Sequence, residues 1–179
     1  MPAQLRVRTR DGSQVHSAGA VATIGHMNDR LAPAPQRLAV NNVAPELYKA
    51  QLGLEAAVRR SGIDPLLYEL IKIRASQING CAFCLDMHTT DARKLGETER
   101  RLHLVAAWSE TNLFNARERA ALALTEAVTL VSVGHVPDEV WDDAARLFDP
   151  AELSAVLMAI VVINGWNRIS VASRTPLPD

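Results

Sequence analysis

The only two cysteines of the 179-residue chain, Cys81 and Cys84, stand at Cys-x-x-Cys spacing, with His88 four residues after the second and Glu69 twelve before the first. Two thiols three residues apart can exchange between a dithiol and a disulfide. A nearby imidazole can take a proton from a thiol, which is inert until it ionises. Thiol redox chemistry is therefore the leading reading of the stretch 69–88. Two others compete with it. A zinc site would need about four ligands, and Cys81, Cys84, His88 and Glu69 would have to supply them from helix. Alternatively the cysteines are simply buried and inert, and Glu69 is a surface acid paired with Lys72 or Arg74.

These side chains act together only if the elements around them bring them together. Asp64-Pro65 is a helix start, an N-cap followed by proline at the first helical position, and predicts a helix over 65–78. Asn79-Gly80 breaks it. The next helix begins at or beside Cys81 and ends at Gly96. At about 100° per residue, Cys81, Cys84, Leu85, His88, Ala92 and Leu95 share one face of it, while Thr90, Arg93 and Lys94 lie on the other. Both cysteines fall in its first turn, where unpaired N–H groups and the helix dipole favour a thiolate. His88 is one turn beyond Cys84. If the two helices fold back about Asn79-Gly80, Glu69 lies roughly 16 Å and His88 roughly 12 Å from the break, so a glutamate side chain can reach the imidazole. The face around Glu69 otherwise carries Leu66, Ile73 and Ala75, and an acid there needs a partner.

The remaining pattern is helical as well. An extended arm containing Pro33 and Pro35 covers 30–42. Helices follow over 45–60, 97–108, 115–133 and 137–148, and a last long one starts at Pro150. With no convincing strand, repeat or low-complexity run, the fold class is all-α, with six to seven helices in a single domain over 27–179. Residues 1–26 are loosely patterned and read as a disordered leader, their apolar stretch 18–24 being short for a signal-peptide core. His103 and His135 have no constellation around them and read as solvated. Trp166, Asn167 and Arg168 read as packing or subunit-interface residues.

Composition narrows the partners. A net charge of -1, with 48% apolar and 22% charged residues, gives no reason to expect nucleic acid or an anionic membrane. The longest apolar stretch, 156–164, is short for a membrane span. A chain of this length can bury roughly 70% of its unfolded surface and does not depend on disulfides for its fold, so a lone Cys-x-x-Cys suggests a reducing compartment, the cytoplasm.

The run Glu-x11-Cys-x2-Cys-x3-His, with Asn-Gly before the first cysteine and Met before the histidine, resembles the alkylhydroperoxidase D (AhpD)-like branch of the carboxymuconolactone decarboxylase superfamily. The closing Asn164-Gly165-Trp166-Asn167-Arg168 is similar to the C-terminal helix of its smaller members. The resemblance implies that Cys84 attacks a peroxide, that Cys81 resolves it as an intramolecular disulfide, and that Glu69 and His88 relay protons, with no cofactor or metal. It further implies a dithiol or thioredoxin-like reductant and a homo-trimer or homo-hexamer. The best-known AhpD proteins carry a histidine between the cysteines, where this chain has Phe83. The decarboxylase branch generally lacks the redox pair. Fold alone does not separate these chemistries, and a non-enzymatic redox-sensing or metal-binding module remains an alternative.

Overall fold

The computed structural model describes residues 34–177, and the compact unit that begins at Pro35 is all-α. The leader proposed for residues 1–26 lies outside the described residues. Among these residues there are nine α-helices and one 3-10 segment: α1 Val40–Val43, α2 Pro45–Arg59, α3 Pro65–Asn79, α4 Ala82–Lys94, α5 Glu99–Leu104, the 3-10 turn Val105–Glu110, α6 Ala116–Thr129, α7 Val131–Gly134, α8 Asp138–Leu147 and α9 Pro150–Ser173.

Helix α3 is the axis of the fold, packing against α4, α6 and α9. It starts where the sequence demands. The Asp64 carboxylate accepts from the Leu67 N–H at 2.8 Å, and Pro65 fills the first helical position. Leu67, Tyr68 and Ile71 then face a core shared with Leu124, Phe148, Val156 and Ile160. Leu70 and Ile73 face a second one with Leu102, Val105, Phe114 and Leu122. A helix with apolar contacts on most sides has no solvent face for its charged residues. Glu69 and Lys72 are consequently 2% and 1% exposed.

Three differences from the sequence reading have local causes. The arm expected over 30–42 ends in one helical turn, α1, and Arg37 ties it to the far end of α9 through a 2.8 Å bond from its N–H to the Ser173 carbonyl. The helix expected over 97–108 stops after Leu104 and tightens into the 3-10 turn. There Ala107 leaves helical geometry, and Arg119 donates to the carbonyls of Trp108, Ser109 and Thr111. The helix expected over 115–133, started by a reciprocal Asn115–Glu118 cap, breaks at Leu130 and resumes for a single turn as α7.

The last helix, capped by Asp149 and Glu152, runs for 24 residues. An 18-residue window within it has a mean hydropathy of 1.5, which makes it, among the described residues, the one helix long and apolar enough to cross a membrane. Half of that window is buried within the fold, as in a core helix. The sequence reading, which counted only consecutive apolar residues over 156–164, underestimated it. Gly165 lets α2 approach: a Cβ there would lie 2.8 Å from the Gln51 amide nitrogen, which donates to the Val162 carbonyl.

Candidate active site

The site is assembled by the junction of α3 and α4. Gly80 adopts a left-handed φ of 65°, and two bonds close the end of α3: its N–H to the Gln77 carbonyl at 3.3 Å, and the Cys81 N–H to the Ser76 carbonyl at 3.0 Å. This six-to-one and five-to-two pairing is a Schellman closure, which explains glycine before the first cysteine. Asn79 anchors the same turn to α9, its amide donating to the side-chain oxygens of Asn164 and Asn167 at 3.0 and 2.9 Å. Asn167 in turn donates to the Ser76 hydroxyl at 2.9 Å and Asn164 to the Thr129 hydroxyl at 3.0 Å. The chain therefore enters α4 in one fixed direction.

Cys81 is the N-cap of α4, its sulfur accepting from the Cys84 N–H at 3.3 Å, and the two cysteines are joined as a disulfide with Cα atoms 5.4 Å apart. Both are 1% exposed and pack with Ala75 and Ile163, with Phe83 and Trp166 against them. One turn beyond Cys84, His88 is likewise 1% exposed, and its Nδ1 lies 2.7 Å from Glu69 Oε2. A carboxylate can only accept, so with Glu69 ionised Nδ1 carries the proton and Nε2 presents its lone pair. Among the described residues, Nε2 is the buried side-chain nitrogen or oxygen without a hydrogen-bond partner. Leaving an acceptor so is costly, and a base awaiting a proton is a physical reason for it.

The structure thus brings together all four residues singled out in the sequence and corrects the bland reading of Glu69. It is an interior group bonded to His88, with Arg59 3.6 Å away. Lys72 is bonded elsewhere, to Glu55, and Arg74 pairs with Glu126 at 2.8 Å on another side of α3. With the cysteines joined, a zinc arrangement on Cys81, Cys84, His88 and Glu69 would belong to the reduced protein. Glu69, His88 and Asp91 do place one ligand atom each within 4.8 Å of one another, but Glu69 and His88 are engaged with each other and Asp91 bonds Lys94 at 2.8 Å. His103 and His135 are exposed.

A cavity of about 600 Å³ opens beside the disulfide, with Cys84, His88, Phe83, Met87, Trp166 and Lys72 in its wall. Sequence reasoning missed the polar group that shares this cavity. Glu55 of α2 accepts from the Tyr68 hydroxyl at 2.6 Å, from Arg59 at 3.2 Å, from the Trp166 indole at 3.1 Å and from Lys72. Burial opposes its charge, but the adjacent Lys72 ammonium and the hydrogen bonds from Lys72, Tyr68 and Arg59 outweigh burial and hold the carboxyl at about 2. Burial, then the bond to Glu55, pushes the Tyr68 phenol up. Burial pulls Lys72 down against the pull of Glu55. The signal was present: Lys72 interrupts the apolar run Leu70, Ile71, Ile73, where a charge needs a buried partner.

An all-α subunit with a disulfide at the N-terminus of a helix, backed by a buried Glu–His pair, defines a class of thiol proteins. The sequence profile of the carboxymuconolactone decarboxylase family matches residues 45–127. The uncharacterised protein YdfG of Bacillus subtilis is 44% identical over 137 residues, covering 76% of this chain and 93% of YdfG. An Agrobacterium tumefaciens protein of unknown function, assigned as a candidate antioxidant defence protein AhpD, has a crystal structure that superimposes with a TM-score of 0.79 at 37% identity, over 81% of this chain and 99% of that one. The debrominase Bmp8 shares the fold at 23% identity and a TM-score of 0.67, over 75% of this chain and 72% of its own. The chain belongs to the carboxymuconolactone decarboxylase family, as an AhpD-like member.

Proposed function

We propose that the protein is a thiol-dependent peroxidase that reduces alkyl hydroperoxides or hydrogen peroxide. The observation that carries this reading is the Cys81–Cys84 disulfide at the head of α4, beside a cavity with His88 in its wall, an imidazole whose Nε2 has no partner and whose Nδ1 is held by Glu69. In the reduced protein, His88 takes the proton of the Cys84 thiol. The thiolate attacks the outer oxygen of ROOH, the O–O bond breaks, and the departing alkoxide receives the proton from His88, leaving ROH and a Cys84 sulfenic acid. The Cys81 sulfur then displaces hydroxide from the sulfenic sulfur, its proton completing a water, and the disulfide forms. An external dithiol or thioredoxin-like donor supplies two electrons and two protons to reopen it. Glu69 keeps the imidazole in the tautomer this sequence needs and stabilises it when charged.

The family resemblance adds the expectation of a homo-trimer or homo-hexamer working in the cytoplasm, where dithiol reductants are plentiful. The test is a free-thiol count on reduced protein before and after one equivalent of an organic hydroperoxide, with the Cys84→Ser variant and an assay under excess dithiol. Loss of two thiols in the parent, none in the variant, and many turnovers support a peroxidase. Loss of two thiols with a single turnover makes the pair a redox switch instead. Survival of both thiols rejects the reading.

A further inference from the structure

We propose that the Lys72 ammonium, held in place by Glu55, is the positive charge that stabilises the Cys84 thiolate when the disulfide is opened. The inference rests on the redox reading of the cysteine pair and adds a positioning residue to it. Two bonds fix how α3 lies against α4: Glu69 to His88 at one end and the Ser76 carbonyl to the Cys81 N–H at the other, seven residues apart along each helix. The helices run in opposite directions, so Lys72, three residues past Glu69, comes level with Leu85, the neighbour of Cys84. Lying at i+3 from Glu69, it is one turn along the helix from the residue that meets His88. Lys72 and Cys84 both line the cavity.

The bonding of Lys72 leaves it capacity for such a role. Among the described residues its Nζ has one hydrogen-bond acceptor, Glu55 Oε1, and it lies 4.1 Å from the centre of the Tyr68 ring. An ammonium has three protons, so a further acceptor can be served without surrendering Glu55. Glu55, for its part, does not depend on Lys72 alone, since Tyr68, Arg59 and Trp166 also donate to it. A purely structural ion pair between α2 and α3 would not require its lysine to be 1% exposed at the wall of the reactive cavity. Opening the disulfide creates a new anion in the wall of the cavity that also holds this cation, and a nearby opposite charge favours the ionised thiol.

The other charges around Cys84 are accounted for. From α2 come Glu55 and Arg59, which bond each other, with Tyr48 also in the cavity wall. From α3 come Glu69, committed to His88 and Arg59, and Tyr68, committed to Glu55. On α4 itself are His88 and, near it, Asp91, while Asp86 is exposed. Arg168 of α9 is held by the carbonyl and side-chain oxygens of Asn164. Of the permanently charged cations of this set Lys72 is the buried one, Arg59 being half exposed and Arg168 exposed, while His88 becomes a cation only by taking the thiol proton.

The test measures the Cys84 ionisation directly. In reduced full-length protein carrying Cys81→Ser, so that one thiol remains, the rate of alkylation by iodoacetamide is followed against pH. The expected midpoint lies below the ordinary thiol value of about 8.5. Adding Lys72→Met raises it by about one pH unit, which slows alkylation about tenfold at pH values below both midpoints. Lys72→Gln, which keeps a donor for Glu55 but no charge, gives the same rise and serves if the methionine variant does not fold. Lys72→Arg restores the low midpoint. A parent midpoint at or above about 8.5, or a midpoint unmoved in a folded Lys72→Met or Lys72→Gln variant, overturns the proposal. The readout does not involve peroxide, so it can fail while turnover persists, or succeed on a protein that proves not to be a peroxidase.

Discussion

At the scale of single residues, the division of labour between His88 and Glu69 is open to a clean test, because only one atom of the carboxylate faces the ring. Glu69→Gln retains an oxygen that can accept from Nδ1 but removes the negative charge that stabilises a protonated imidazole. In the proposed reaction this should lower kcat/KM for an organic hydroperoxide about 100-fold, within the usual range for a general acid–base contribution, while the fold persists. Wild-type kinetics in that variant would remove Glu69 from the relay. The roles of the two cysteines are separated by a second variant. In Cys81→Ser the sulfenic acid on Cys84 has no resolving thiol, so a mass spectrum after one equivalent of peroxide should show added oxygen on the peptide carrying Cys84. Finding the oxygen on Cys81 in the converse variant, Cys84→Ser, would reverse the assignment.

At the scale of elements, the site depends on how firmly α2, α3 and α9 are joined, and each joint is polar. Asn167 of α9 accepts from Asn79 and donates to Ser76, both in α3. Asn167→Ala leaves the buried Ser76 hydroxyl without this donor and removes one of the two acceptors of Asn79, and should cost about 2 kcal/mol of unfolding free energy, read as a lower urea midpoint. Little or no change would mean that Asn164 carries the joint alone. The Glu55 joint has a pH signature. Its folded value of about 2 lies below the ordinary carboxyl value of 4.5. Ionisation therefore favours the folded state, and the contribution is complete above about pH 4.5 and lost as pH falls toward 2. Urea midpoints of wild type and Glu55→Gln should differ most near neutrality and converge across that interval, and a constant gap would contradict the assignment.

These joints also mark the boundary of what the sequence makes legible. Helix starts with local chemical signals, Asp64-Pro65 and Asn115 among them, could be read directly, because the capping bonds are made within three residues. The Glu69–His88 pair could be read because one glycine turn sets the two helices back to back. The Glu55–Lys72–Trp166 cluster could not, since Glu55 and Trp166 lie 111 residues apart and meet only through the packing of α2 on α9. The break at Ala107 escaped for a similar reason. The carbonyls it frees are taken by Arg119, a residue of another helix.

At the scale of the whole molecule, the chain leaves several large apolar side chains in solvent along particular elements. Val43 and Leu47, on either side of the α1–α2 junction, are 68% and 74% exposed, and Val161 and Val171 of the long apolar α9 remain near half exposed. Single exposed apolar residues are ordinary, but several on helices that also build the cavity wall are what a subunit interface leaves behind in an isolated chain. An interface of standard size removes roughly 1,600 Å² from water, enough to need contributions from more than one helix. The trimer or hexamer expected from the family should therefore show in light scattering as three or six times the 19.5 kDa chain mass. A charge at the most exposed large apolar residue of α2, Leu47→Asp, should shift the mass toward the single chain if α2 takes part, since a desolvated carboxylate without a partner opposes association. A wild-type mass of one chain would end the expectation of an assembly. An assembled wild type with an unmoved Leu47→Asp mass would leave the interface to the outer side of α9, where Val161→Asp repeats the test.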